Sequence, residues 1–278
     1  MENTKEGIII LWDFSETAEF VLQHAVQLAE SVNSQLALYN FVSGGGLFGS
    51  KTKIEENKKT LLGRLTEVQQ RIKIKYKFDA KIFIGEGNFT KGFKEMIDEV
   101  NANLLIMGKD FNADGGSTSF KDVLKYCEEY NLPIIQVNAP PNHARYSEVV
   151  VPLDHNKKYK EKLHWIIYLS KYYNFNVNII KAHSSDELLK KQMSNNVFFT
   201  KKMLDTKKIV YGIKTAKKEE AFSDEILRFA QDIEADLIVV MTPEYNSYIQ
   251  KSNGVENPTV PIMCVNPRPD LQKFAGFR

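Results

Sequence analysis

Cysteine is scarce in this chain: there are two in 278 residues, Cys127 and Cys264, neither in a CxxC pair nor near a histidine at metal-ligand spacing. That argues against a disulfide framework or a zinc site, and both are expected as core packing. No apolar run approaches the roughly 20 residues needed to span a bilayer. The opening MENTKEGIIILWDFSE lacks the basic start, apolar segment and small-residue cleavage site of a secretory signal. The expected location is therefore cytoplasmic, with no membrane partner. Excess charge is missing as well. A formal charge of +2, with 43% hydrophobic and 26% charged residues, is the composition of a globular protein and gives no electrostatic case for nucleic acid. Lysines cluster at HNKKYKEKLHW and TKKMLDTKK, but acidic residues are interspersed throughout, the pattern of solvated helix faces. Catalytic signatures are also wanting. No GxSxG elbow occurs, and His24, His143, His155, His164 and His183 do not pair at metal-ligand spacing. Dedicated catalysis is not expected.

What is present is alternation. GIIILWD is a short apolar run rich in β-branched residues, as expected for a strand buried on both faces of a parallel sheet. After Asp13 or Ser15, either of which suits a helix cap, Ala18, Val21, Ala25, Leu28 and Val32 recur at helical spacing. QLALYNFV reads as a second strand, followed by a charged helix with Ile54, Leu61, Leu65, Val68 and Ile72 on one side. The order then repeats through DAKIFIGEG, a helix with Phe93, Met96, Ile97 and Val100, NLLIMG, a helix over Ser119 to Tyr130, and LPIIQVN. Strand and helix in strict alternation predict a doubly wound parallel α/β sheet.

At NAPPNHARYSE the periodicity stops, as at a domain linker, and the pattern then restarts. EVVVPLD answers GIIILWD, NVNIIKAH answers QLALYNFV, KKIVYGI answers AKIFIGE, ADLIVVMTP answers ANLLIMGKD and VPIMCVN answers LPIIQVN. Corresponding elements in one order imply two copies of one domain, expected at 1–140 and 146–268.

These residues resemble the universal stress protein family in a tandem two-domain form. The resemblance is carried by IIILWDFSETAEFVLQHAVQLAE, by NANLLIMG and EADLIVVM, and by LPIIQV and VPIMCV. It implies an adenine nucleotide alpha hydrolase-like fold, with a five-stranded parallel sheet flanked by helices in each domain. It also implies pairing of domains through their last strands, here satisfiable as an intrachain pseudo-dimer, with a homodimer as a further possibility. Nucleotide-binding members carry a glycine after the fourth strand, a second roughly three positions on and a Gly-Ser or Gly-Thr about ten positions later, at a helix start that favours phosphate. Gly108 matches the first, but Phe111 stands at the second, and Gly116 with Ser117 lies early for the third. Thr242 and Pro243 replace the glycine start in the second repeat, which is shortened before its last strand and is expected to lack a normal last helix. Asp13 and Asp154 match the family's base and ribose aspartate, a position where helix capping is the alternative role.

The candidate ligand-binding set is therefore Asp13, Phe41, Gly108, Lys109, Gly115, Gly116 and Ser117 in the first repeat and Asp154 in the second. His155 and His183 join them as strand-end histidines. The loop SGGGLFGSKTK, Ser43 to Lys53, misses a Walker A loop by one residue, since Ser50 precedes Lys51, and reads as a flexible connection or lid. Two functions stay open. One is a non-catalytic regulatory or binding module in stress response, with degenerate phosphate loops, no cofactor, and a protein or small-ligand partner. The other is an adenine-nucleotide (ATP or AMP) binding protein with its site in the first domain, and possible slow hydrolysis.

Overall fold

The computed structural model describes residues 6–43, 51–87, 89–113, 116–156, 160–250 and 258–267. They fall into two compact units, Met1–Pro140 and Pro141–Arg278.

The N-terminal unit runs β1 (Gly7–Leu11), α1 (Glu16–Val32), β2 (Gln35–Ser43), α2 (Lys51–Tyr76), β3 (Ala80–Gly87), α3 (Phe89–Val100), β4 (Ala102–Met107), β5 (Asp110–Ala113), β6 (Gly116–Ser119), α4 (Phe120–Glu129) and β7 (Ile134–Gln136). Its main sheet has the order β3-β2-β1-β4-β7, with every pairing parallel. Ile8, Ile9 and Ile10 sit at the centre of that order and are essentially inaccessible to solvent. Each contributes about 1.5–3 kcal/mol by burial, which is why this strand carries apolar residues without alternation. Ser15 caps α1, its side chain accepting from the Ala18 N–H, and Asn33 closes the helix in the left-handed region. The expected apolar face of α2 is present in Leu61, Leu65, Val68 and Ile72. Helix α4 starts one residue later than expected, because Ser119 is its N-cap and accepts from the Asp122 N–H.

The C-terminal unit repeats the plan with β8 (Glu148–Leu153), α5 (Lys160–Leu169), β9 (Asn176–Lys181), α6 (Glu187–Thr206), β10 (Tyr211–Thr215), α7 (Phe222–Asp232), β11 (Leu237–Met241) and β12 (Ile262–Val265). Its order is β10-β9-β8-β11-β12, again with parallel pairings. The two units therefore place corresponding strands at corresponding positions. They differ between the fourth and fifth strands of each sheet. The N-terminal unit has the antiparallel hairpin β5–β6 and then α4, whereas the C-terminal unit has a 3-10 turn at Thr242–Glu244 and a π-helical turn at Asn246–Gln250. Among the described residues no α-helix follows β11.

Candidate functional site

In an open parallel sheet, ligands are met at the carboxyl ends of the strands. At that edge of the N-terminal unit, Trp12, Asp13 and Phe14 lead from β1 into α1. The Asp13 carboxylate is fully engaged. Its Oδ1 accepts from the Ser15 N–H at 3.0 Å and the Ser15 hydroxyl at 2.5 Å, and its Oδ2 accepts from the Asn112 N–H at 3.1 Å and Asn112 Nδ2 at 3.4 Å. Asp13 thus supports the residue that caps α1 and ties down the hairpin, and Ser15 alone is the cap. Asn40 is committed too, its Nδ2 donating to the Trp12 carbonyl and its Oδ1 accepting from the Phe41 N–H.

The hairpin pairs Asp110 with Ser119, Phe111 with Thr118, Asn112 with Ser117 and Ala113 with Gly116. Strand alternation turns Phe111 inward, where it is 1% exposed, and Asn112 outward to Asp13. The Phe111 ring lies 6.1 Å from Phe41 and 6.0 Å from Phe89, and Phe89 stacks on Phe93 at 5.2 Å. Phe41 is therefore a member of this aromatic cluster. Gly116 and Ser117 are exposed residues of β6, not the start of a helix. Gly108 has a packing reason of its own: a Cβ there would stand 2.7 Å from Thr17 Cγ2 on α1. Among the described residues the exposed Lys109 enters only through its carbonyl, which accepts from the Phe120 N–H at 2.7 Å. Gly115, and most of the Ser43–Lys53 loop, lie outside the described residues.

Beside Asp13 a cleft of about 360 Å³ remains, lined by Phe14, Asn40, Val42, Asn57, Thr60, Leu61, Arg64 and Asn112 as well. Phe14 has a φ of 63°, a disfavoured conformation for a bulky residue, and the Arg64 guanidinium carbon lies 3.8 Å from the centre of its ring. Neither residue stood out in the sequence. Spacing was the available signal for Arg64, because Asn57, Thr60 and Arg64 follow one another at three and four residues on α2.

The corresponding edge of the C-terminal unit is filled by a polar network. Asp154 accepts from the Asn156 N–H through Oδ1 at 2.6 Å and from the Tyr248 hydroxyl through Oδ2. The Lys162 ammonium is 1% exposed, 2.6 Å from Glu244 Oε2, and donates to the Pro152 carbonyl at 2.8 Å. The same Glu244 oxygen accepts from the Met241 N–H. Burial, followed by the charges of Glu244 and Asp154, pushes the Tyr248 phenol well above its ordinary pKa, so it remains a neutral donor. His155 and His183 are both exposed at this edge. No group of three His, Cys, Asp or Glu residues able to hold a metal ion occurs among the described residues.

No protein-family model matches the sequence, and no curated protein matches it. Solved structures do. The chain is similar to a universal stress protein from Archaeoglobus fulgidus, at 16% identity and a TM-score of 0.66 over 95% of this chain and 97% of that one. A putative universal stress protein from Pseudomonas aeruginosa gives 13% identity and 0.59 over 98% and 97%. A functionally unknown protein from Pseudomonas aeruginosa gives 13% and 0.56 over 98% and 96%. The chain thus has the α/β fold of the universal stress proteins along nearly its whole length. Among the described residues, no helix is long and apolar enough to cross a membrane.

Proposed function

We propose that this chain is a tandem universal stress protein, acting in stress response as a non-catalytic binding or regulatory module with degenerate phosphate loops. One observation carries this reading: the element between β4 and α4 folds as a hairpin whose Asn112 occupies Asp13 and whose Phe111 is buried against Phe41 and Phe89. A phosphate loop needs backbone N–H groups free to converge on an anion. In the hairpin the corresponding segment is committed to a β-ladder. A ribose donor would have to displace Asn112 or Ser15 from Asp13, because the carboxylate already receives four hydrogen bonds. The second unit supports the same reading, with Asp154 held by Tyr248 and a buried Lys162–Glu244 pair behind it.

The cleft beside Asp13 favours a second reading, adenine nucleotide in the N-terminal unit. Thermal melting separates the two. A ligand at a hundredfold excess over its dissociation constant stabilises the native state by about 2.7 kcal/mol. With magnesium and ATP at millimolar concentration the melting temperature should stay unchanged. A dose-dependent rise that disappears in Asp13→Ala would establish the nucleotide reading instead.

A further inference from the structure

We infer that the cleft between α2 and the ends of β1 and β2 is a site for a small oxyanion of low charge, a carboxylate or a phosphate monoester, anchored by Arg64. The inference rests on the preceding reading of the N-terminal unit as a binding module without a phosphate loop.

Arg64 makes no ion pair or hydrogen bond among the described residues; its one specific contact is the face of Phe14 at 3.8 Å. A guanidinium carries five N–H donors in a rigid planar fork, and a contact through its carbon to a ring face uses none of them in a hydrogen bond; that fork takes a carboxylate or phosphate through two parallel hydrogen bonds. The ring that holds it there is itself fixed in an uncommon way. Phe14 adopts a φ of 63°, and its ring meets Trp12 edge-on at 6.2 Å. Backbone strain of this kind collects at ligand sites, where a side chain is held in place before the ligand arrives.

The remaining walls suit the same ligand. Asn57, Thr60 and Arg64 form one stripe of α2 along the cleft, with Leu61 and Val42 supplying apolar surface. Asp13 shares the cleft, and its carboxylate is saturated by Ser15 and Asn112, so it offers a ligand no acceptor while keeping its negative charge. That charge disfavours polyanions such as a triphosphate and leaves room for a ligand carrying little more charge than Arg64 neutralises. The volume of about 360 Å³ sits at the small end of ligand pockets.

Nitrogen-edited NMR of the full chain tests the site through the Arg64 Nε–Hε resonance, titrated with acetate, inorganic phosphate and AMP at constant ionic strength. The expected result is a saturable shift with acetate or phosphate, with the dissociation constant raised at least about tenfold in Arg64→Ala and less in Arg64→Lys, which keeps charge but not the fork. Arg64 is exposed, so both variants should fold. Saturable AMP binding that needs Arg64 would uphold the oxyanion site while overturning the non-nucleotide reading of this unit. No saturable shift with any of the three probes up to about 10 mM, where only affinities weaker than millimolar escape notice, would overturn the site. So would binding that survives Arg64→Ala unchanged.

Discussion

Replacing Phe111 with alanine tests whether the hairpin is a packed part of the N-terminal unit. The ring is 1% exposed and meets Phe41 and Phe89 at centroid distances of 6.1 and 6.0 Å, so truncation removes a buried aromatic from the centre of a cluster. Phe→Ala substitutions in cores cost about 3–5 kcal/mol, combining lost transfer energy with the cavity left behind. The lower end applies, because the cluster borders the edge of the sheet, where neighbours relax more easily. A loss of about 3 kcal/mol at a slope near 1.5 kcal/mol/M lowers the urea midpoint by about 2 M. The assay has a built-in reporter, since the chain has two tryptophans, Trp12 in one unit and Trp165 in the other. In a Trp165→Phe background, Trp12 fluorescence follows the N-terminal unit alone. A midpoint change equivalent to less than about 1 kcal/mol at unchanged slope, the size of an ordinary surface substitution, would refute the packing of Phe111 and with it the closed hairpin.

Two further outcomes concern the C-terminal unit. Lys162→Met should destabilise it by about 3–5 kcal/mol, because Glu244 is left as a buried charge, and the double variant Lys162→Met with Glu244→Leu should recover much of that loss; urea unfolding followed by Trp165 measures both. His143 Nδ1–H donates to Asp236 Oδ1 at 2.8 Å, and this hydrogen bond, followed by the charges of Asp236, Glu234 and Glu148, raises its pKa. The folded state therefore holds the proton more tightly than the unfolded one. The stabilisation is complete below the unfolded histidine value of about 6.5 and is lost as pH rises through the higher folded value. Urea midpoints should fall across that window in the wild type and much less so in His143→Gln.

The fold was legible because strand, helix and strand keep their order through apolar runs such as GIIILW and EVVVPL, whose burial on both faces demands continuous hydrophobicity. Ser15 was legible only as one of two candidate caps beside Asp13, and Ser119, the cap of α4, read as the first residue of that helix. The candidate site was only partly legible. Phe111 stood out as a bulky residue where the family has glycine, yet its destination against Phe41 and Phe89 depends on a hairpin. The second strand of that hairpin, Gly116–Ser119, carries no apolar residue, so no alternating pattern marks it in the sequence. Asp13 was singled out, whereas its saturation by Asn112, 99 positions away, is a tertiary fact that no local pattern carries. Arg64 lay hidden in a charged helix where a lone stacked cation looks like any solvated one, and Lys162 lay hidden in a lysine cluster that read as surface.

Under the proposed function, the hairpin leaves Asp13 without capacity for a nucleotide. Isothermal titration of the full chain with ATP and magnesium tests it most directly. No saturable heat is expected at millimolar nucleotide; saturable one-to-one binding that Asp13→Ala abolishes would contradict the proposed function.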